Sequence, residues 1–179
     1  MEIFRKEIPK EFLESFPEGM KLVRKNYENF LVIEKVLCPN GHSLMDESIQ
    51  IHGVPAIKFR IKNSFNQGYL FVDAFWGSHS KLYSFIPKHS ESLEAFEIEC
   101  PVCGVSLMVE EKCSLSSCGS MKAVQLKLSD KNRIVACSRL DCPGHRVEIM
   151  KLPSNVTMAV SNINFYGENF DNNDFFMGV

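Results

Sequence analysis

The sequence predicts a β-rich α+β fold, and three observations support this prediction. Several short segments alternate apolar and polar side chains, as strands with one buried face do. Helical periodicity is concentrated near the N-terminus. Cysteines occur in short pairs, which is typical of small β-rich units held together by metal ions. The 179 residues are 45% hydrophobic and 23% charged, an ordinary globular composition that suffices for one domain or two small ones.

Residues 1–37 are predicted to form an N-terminal helical segment, with residues 9–36 mainly helical. Pro9 suits the first turn of a helix, and apolar residues follow it at helical spacing. These residues are Phe12, Leu13, Phe16, Val23, Tyr27, Phe30 and Leu31. We expect the apolar face to pack on the core.

Residues 38–104 are predicted to hold a first metal site interrupted by a β-rich insertion. Ile57, Phe59 and Ile61 alternate with basic residues, which indicates a half-buried strand. A turn over 63–68 and a strand over 69–75 would complete an antiparallel hairpin. Further strands are predicted over 82–86 and 95–100.

Residues 105–152 are predicted to form a second, smaller β-unit. Its candidate strands are 105–110, 123–128, 133–137 and 147–152, with a turn at 129–132. Residues 153–179 form a C-terminal tail rich in acidic and aromatic side chains.

Seven cysteines and one histidine supply the eight ligands that two tetrahedral zinc sites require. They lie in four short pairs: Cys38/His42, Cys100/Cys103, Cys113/Cys118 and Cys137/Cys142. Each cysteine is used once. The pattern therefore predicts two Zn²⁺ ions per chain, the first bound by the first two pairs and the second by the last two.

The segments CPNGH (38–42) and CPVCG (100–104) resemble the two knuckles of a zinc ribbon, in which β-hairpins present paired ligands to one ion. The second set, CSLSSC (113–118) and CSRLDC (137–142), resembles a ribbon with wider knuckles joined by a hairpin over 121–137. The long insertion between His42 and Cys100 departs from the ribbon pattern. Strands flanking the insertion would have to bring the first two pairs together.

Some ligand assignments have alternatives. His145 lies at ligand spacing from Cys142, so five groups compete for four places in the second site. Cys142 is preferred because it preserves the symmetry of the two pairs, which leaves His145 beside the site or on the surface. Some cysteines could instead be small buried apolar residues, the all-cysteine site could bind iron, and Cys100/Cys103 could be a redox pair. A site filled by four protein ligands has no position for water, which favours structural zinc.

The loop DAFWGSHS, residues 73–80, follows a predicted strand and is the main non-metal candidate. Asp73 and His79 could form an acid–base pair, with Ser78 or Ser80 as nucleophile. The alternative is a structural turn in which Trp76 covers the core. His52 is expected at the surface.

Charge and composition limit the remaining functions. The formal net charge is -2, and two loaded zinc sites would make it about -5, which excludes a generally basic protein. The basic residues of 122–146 could touch phosphates, so a nucleic-acid-binding ribbon is an alternative function. The charged N-terminus lacks the features of a secretory signal, no apolar run is long enough for a membrane span, and a cytoplasmic location is expected.

The tail contains five aromatic residues within a short acidic stretch: Phe165, Tyr166, Phe170, Phe175 and Phe176. It is expected either to pack on its own domain or to dock on a second copy or a protein partner. Taken together, the sequence favours a non-catalytic interaction or adaptor protein with structural zinc. Nucleic-acid binding and an enzyme centred on Asp73 and His79 are the alternatives.

Overall fold

The computed structural model describes residues 7–64, 66–85, 96–129 and 131–163. In these ranges the chain forms three antiparallel β-sheets and two short helices, which confirms the predicted β-rich fold class. The elements are α1 (Lys10–Glu14), β1 (Met20–Lys25), β2 (Glu28–Ile33), β3 (Met45–Ile51), β4 (Val54–Lys62), β5 (Gln67–Val72), β6 (Lys81–Tyr83), β7 (Glu97–Glu99), β8 (Met108–Val109), β9 (Ala123–Lys127), β10 (Arg133–Cys137), β11 (His145–Glu148) and α2 (Ser154–Ser161).

The N-terminal helix is present but much shorter than predicted. It follows Pro9 and buries Phe12, and the residues predicted to continue it form the hairpin β1–β2 instead. The helical interpretation of 20–33 was wrong because Val23 and Phe30 are cross-strand partners rather than neighbours on a helix face. Asn26 and Tyr27 both have positive φ, 50° and 64°, as a two-residue type I′ hairpin turn requires.

The insertion folds into the five-stranded sheet. Strand β4 is central: β5 pairs with one edge, and β3 and β7 share the other. The predicted β4–β5 hairpin is confirmed, with Phe59 opposite Leu70. Strand β6 then pairs with β5. The alternation predicted for β4 is also confirmed, since Ile57, Phe59 and Ile61 are buried.

The second unit is a four-stranded sheet in the order β11-β10-β9-β8. The predicted hairpin between residues 121 and 137 is confirmed as β9–β10. Strand β11 begins at His145, earlier than the predicted start at 147. Helix α2 lies where the sequence analysis placed the beginning of the tail, and Ser161 of this helix accepts a hydrogen bond from the backbone N–H of Val147, 2.9 Å.

Backbone hydrogen bonds join the two units. Leu37 and Lys127 exchange two of them, at 2.8 and 3.0 Å, and the N–H of Leu107 donates to the carbonyl of Ile98 at 2.9 Å. The buried apolar side chains form one continuous core that includes residues from all three sheets. Within the described residues, neither helix has the length and apolar character needed to cross a bilayer.

Candidate metal centres

The structure brings the eight predicted ligand residues into two clusters of four. One consists of Cys38, His42, Cys100 and Cys103, and the other of Cys113, Cys118, Cys137 and Cys142. Within each cluster all candidate ligand atoms lie within 4.8 Å of one another. The grouping is the one predicted from the order of the pairs along the chain.

The distances within each cluster match tetrahedral coordination. With a metal–sulfur bond of about 2.3 Å, two sulfurs of a zinc tetrahedron lie about 3.8 Å apart, and a sulfur and an imidazole nitrogen about 3.6 Å apart. The Cys38 Sγ–Cys103 Sγ distance is 3.9 Å, and Cys38 Sγ lies 3.5 Å from His42 Nδ1. In the second cluster, Sγ–Sγ distances are 3.7 Å for Cys113–Cys142 and for Cys118–Cys137. A disulfide would need about 2.05 Å, so these are thiols arranged around a point.

Two similar knuckles form the first centre. In the first knuckle the N–H of Cys38 donates to the carbonyl of His42, 2.9 Å, and Gly41 takes a φ of +87° that favours glycine. In the second, the N–H of Gly104 donates to the carbonyl of Cys100, 2.9 Å. Each knuckle also directs a backbone N–H at its first sulfur, both at 3.4 Å: that of His42 to Cys38 Sγ and that of Val102 to Cys100 Sγ. Such bonds orient thiolates and stabilise their charge.

The β-rich insertion is what brings the two knuckles together. Strand β3 follows His42 and pairs with one end of β4, and β7 pairs with the other end of the same edge. Because β7 ends immediately before Cys100, this pairing returns the chain to the first knuckle. Glycine is favoured at position 104, which follows the second cysteine of this knuckle, because its φ is +75°.

The hairpin β9–β10 positions the second centre. Cys137 ends β10 and lies opposite Ala123, the first residue of β9, so the loop of Cys113 and Cys118 faces the loop of Cys137 and Cys142. Gly144 is a residue that the sequence analysis missed. A Cβ there would lie 2.7 Å from Cys113 Sγ, so only glycine lets this loop approach the sulfur. The CPGH sequence contained the signal, but it was considered only as a possible source of a ligand.

The protein environment changes the acidity of the ligand groups in different directions. A hydrogen bond with the backbone of Val105 lowers the pKa of Cys103 to about 6. A hydrogen bond with the backbone of Ser120 likewise lowers the pKa of Cys118 to about 7. Burial raises the pKa of Cys137 to about 11 and also raises that of Cys142. The second centre thus combines one partly buried, acidic thiol with two that need a cation to ionise.

His145 has a structural role outside the ligand cluster. Its Nδ1 lies 2.9 Å from the carbonyl oxygen of Pro143 and its Nε2 lies 2.9 Å from that of Ile163. The ring also meets the indole of Trp76 edge-on, with centroids 4.7 Å apart. Burial lowers the pKa of His145, although the two carbonyls oppose this shift. Both nitrogens face carbonyl oxygens, so the ring ties β11 to the end of α2.

The loop at 73–80 is organised around Asp73, but differently from the prediction. His52, which was expected at the surface, has a side chain only 7% exposed, and its Nδ1 lies 2.6 Å from Asp73 Oδ2. Ser78 Oγ donates to the same carboxylate at 2.6 Å, and the N–H of Phe75 donates to Oδ1 at 3.0 Å. The serine therefore bonds to the carboxylate rather than to an imidazole, which is not a nucleophile–base arrangement. The sequence offered no signal for His52, because it arrives from the β3–β4 turn.

The basic residues proposed to contact phosphates are partly neutralised. Glu111 forms ion pairs with both Arg133 and Arg146, and Glu148 contacts the same two guanidinium groups. Arg139 also lies near a carboxylate, with its Nε 3.8 Å from Asp141 Oδ1.

A further ion-pair cluster lies beside the first centre. Glu99 is buried although it belongs to the acidic face of β7, because Arg60 and Lys62 on the adjacent strand bind its two oxygens at 2.7 Å. The same contacts lower the pKa of Glu99.

These features define a β-rich protein with two cysteine-based centres that can each hold a metal ion. Comparison with protein-family models, with curated proteins and with solved structures gave no significant match. The function must therefore be inferred from the sites themselves.

Proposed function

We propose that the protein binds two structural zinc ions and acts as a non-catalytic protein-interaction or adaptor module. The observation that carries the zinc assignment is the tetrahedral spacing of two complete sets of protein ligands. Thiolate and imidazole ligands in this geometry suit zinc, and four protein ligands leave no position for a reactive water. The zinc ions would then replace part of the apolar core that small β-units lack.

Metal content tests the zinc assignment. Protein purified under reducing conditions without added metal should contain two zinc equivalents per chain by elemental analysis. Cys103→Ser and Cys118→Ser should each reduce this to one, because each removes a ligand from a different cluster. Predominant iron, or less than one zinc equivalent in the wild type, would contradict the assignment.

X-ray absorption separates a structural site from a catalytic one. The averaged zinc environment should contain only sulfur and imidazole nitrogen, with roughly seven sulfurs and one nitrogen over the two ions. An oxygen ligand at either ion would indicate a coordination position open to water and would support a catalytic zinc site instead.

The ion pairs of Arg133 and Arg146 weigh against nucleic-acid binding, because their guanidinium groups already bind carboxylates. No tight binding to single-stranded DNA or RNA is expected at physiological salt. Submicromolar, steeply salt-dependent binding would favour the nucleic-acid alternative.

The interaction role rests on the composition of residues 164–179, which lie outside the described residues. Ile163 is buried and its carbonyl contacts His145, so a truncation that tests this segment should end after Ile163. Chain 1–163 should retain two zinc equivalents and the melting temperature of the full chain. Its oligomeric state in light scattering should change, or its binding to a protein partner should be lost. A lower melting temperature with unchanged assembly would show that the segment packs on its own chain and would remove this support.

A further inference from the structure

Residues of all three sheets line a partly open cavity of about 130 Å³ beside the second metal centre. Its walls are largely apolar and come from both units: Ile57, Leu70 and Ile98 on one side, and Leu126, Ile134 and Ala136 on the other. For comparison of size, an enclosed apolar cavity of about 150 Å³ accepts benzene. The volume therefore suits an apolar group of about six to eight heavy atoms.

A second recess of about 230 Å³ lies next to the cavity, and His79 and Lys81 line both spaces. The Lys81 side chain is half-buried, and the hydrogen bond it makes within the described part of the chain is a long one, 3.5 Å to the carbonyl of His79. Burial lowers the pKa of Lys81, whereas the nearby carboxylate of Asp141 opposes that shift. A hydrogen-bond acceptor placed beside Lys81 Nζ would improve the solvation of this amine.

Charge at the wall decides between a neutral and an anionic ligand. Cys142 lines both spaces and Cys137 lines the inner one. As metal ligands these residues would be thiolates, and a zinc ion bound by four of them carries a net charge of about -2. The carboxylate of Asp141 adds further negative charge to the recess. Together these negative charges outweigh the positive charges of Lys81 and Arg139, which also line the cavity, so an uncharged acceptor is favoured over an anionic one.

We propose that this cavity binds a small neutral molecule with a compact hydrocarbon body and one hydrogen-bond acceptor, such as a cyclic ketone. The hydrocarbon body occupies the space between the sheets, and the acceptor faces Lys81 Nζ. Because the walls come from both units, the ligand stabilises their packing. The proposal goes beyond the interaction role and does not depend on it.

The experiment titrates three probes into the zinc-loaded full chain and follows binding by NMR. Cyclohexanone should bind saturably, with a dissociation constant on the order of 1 mM or tighter, and should shift the signals of Trp76 and Ile98. Toluene, which lacks the acceptor, should bind more weakly, and benzoate should bind weakest. Absence of saturable binding by cyclohexanone and toluene would overturn the proposal, and benzoate binding tighter than cyclohexanone would overturn the neutral assignment.

A cavity-filling variant and a matched control test the location of the site. Ala136→Leu fills the cavity and should weaken cyclohexanone binding at least about tenfold, whereas Ala159→Leu on α2 should not. If Ala136→Leu does not fold, Val72→Phe fills the same cavity from the other sheet. Equal effects of the cavity variant and the α2 control would overturn the location.

Lys81→Met keeps most of the length and the apolar stem of the side chain but removes the donor. It should weaken cyclohexanone binding about tenfold and leave toluene binding unchanged, while Lys122→Met at an exposed position should affect neither. An unchanged affinity for cyclohexanone in Lys81→Met would overturn the role of the amine. Zinc content is measured in every variant, so a failure of the ligand proposal is distinguishable from a failure of the zinc assignment.

Discussion

The choice of Cys142 over His145 as the fourth ligand of the second centre can be tested by a pair of substitutions. Cys142→Ser removes a sulfur that lies 3.7 Å from Cys113 Sγ, within the ligand cluster. His145→Ala removes a ring whose two nitrogens face carbonyl oxygens and which packs on Trp76. The two changes therefore affect different properties of the same region.

The structure sets the size of each effect. A structural zinc ion contributes an apparent 10–16 kcal/mol in small zinc domains, on the order of the whole free energy of unfolding of a typical protein, about 5–15 kcal/mol. Loss of Cys142 should therefore cost several kcal/mol. For His145, a neutral ring donates one hydrogen bond of about 1 kcal/mol, and the edge-on contact with Trp76 adds about 1 kcal/mol. We expect His145→Ala to cost about 2–3 kcal/mol.

The assay combines zinc content with denaturant unfolding. Cys142→Ser should fall from two zinc equivalents to one and lose most of the stability of the second unit. His145→Ala should retain two equivalents and unfold at moderately lower denaturant. The opposite pattern, with one zinc equivalent in His145→Ala and two in Cys142→Ser, would refute the ligand assignment and the geometric argument behind it.

Three further predictions concern stability. Glu99→Gln should lower the free energy of unfolding by about 1 kcal/mol through the loss of charge-assisted bonds. Because the pKa of Glu99 is lowered in the folded state, the difference from wild type in urea unfolding should be constant from pH 6 to 8 and should shrink below about pH 4.5. A constant difference down to pH 4 would contradict the ion pair. Tyr27→Gly should stabilise the β1–β2 hairpin by about 0.5–1 kcal/mol in thermal unfolding, because this residue is 92% exposed and has positive φ; destabilisation would contradict the turn. Trp76→Phe should cost about 1–3 kcal/mol, because the indole N–H donates to the carbonyl of Val160 at 2.8 Å, and unchanged amide exchange in α2 would contradict this link.

The pairing of ligand residues was accessible from the sequence because metal ligands are few chemical types and knuckles are local. Cys100 and Cys103 are brought together by a turn whose Pro and Gly are visible in the sequence. Strand β4 was equally predictable, since largely alternating burial leaves a period of two in the sequence, and β9 and β10 also lie where strands were predicted.

Local sequence pattern is ambiguous where a helix and a hairpin share one spacing of apolar residues. Val23 and Phe30 suit one face of a helix, yet they are partners across a two-residue turn. The left-handed conformation of Asn26 and Tyr27 decides between the two, and tyrosine at such a position gives little warning in the sequence.

Long-range contacts were decided by the tertiary structure alone. The sequence by itself determined which residues can bind metal and which segments form the central strands. It did not determine that His52 would reach Asp73, that Gly144 would lie against Cys113, or that His145 would face two carbonyls. Those contacts depend on how β3, β9, β10 and α2 are placed in space, and no local periodicity records such placement. The cavity between the sheets has the same origin, because its walls belong to strands far apart in the chain.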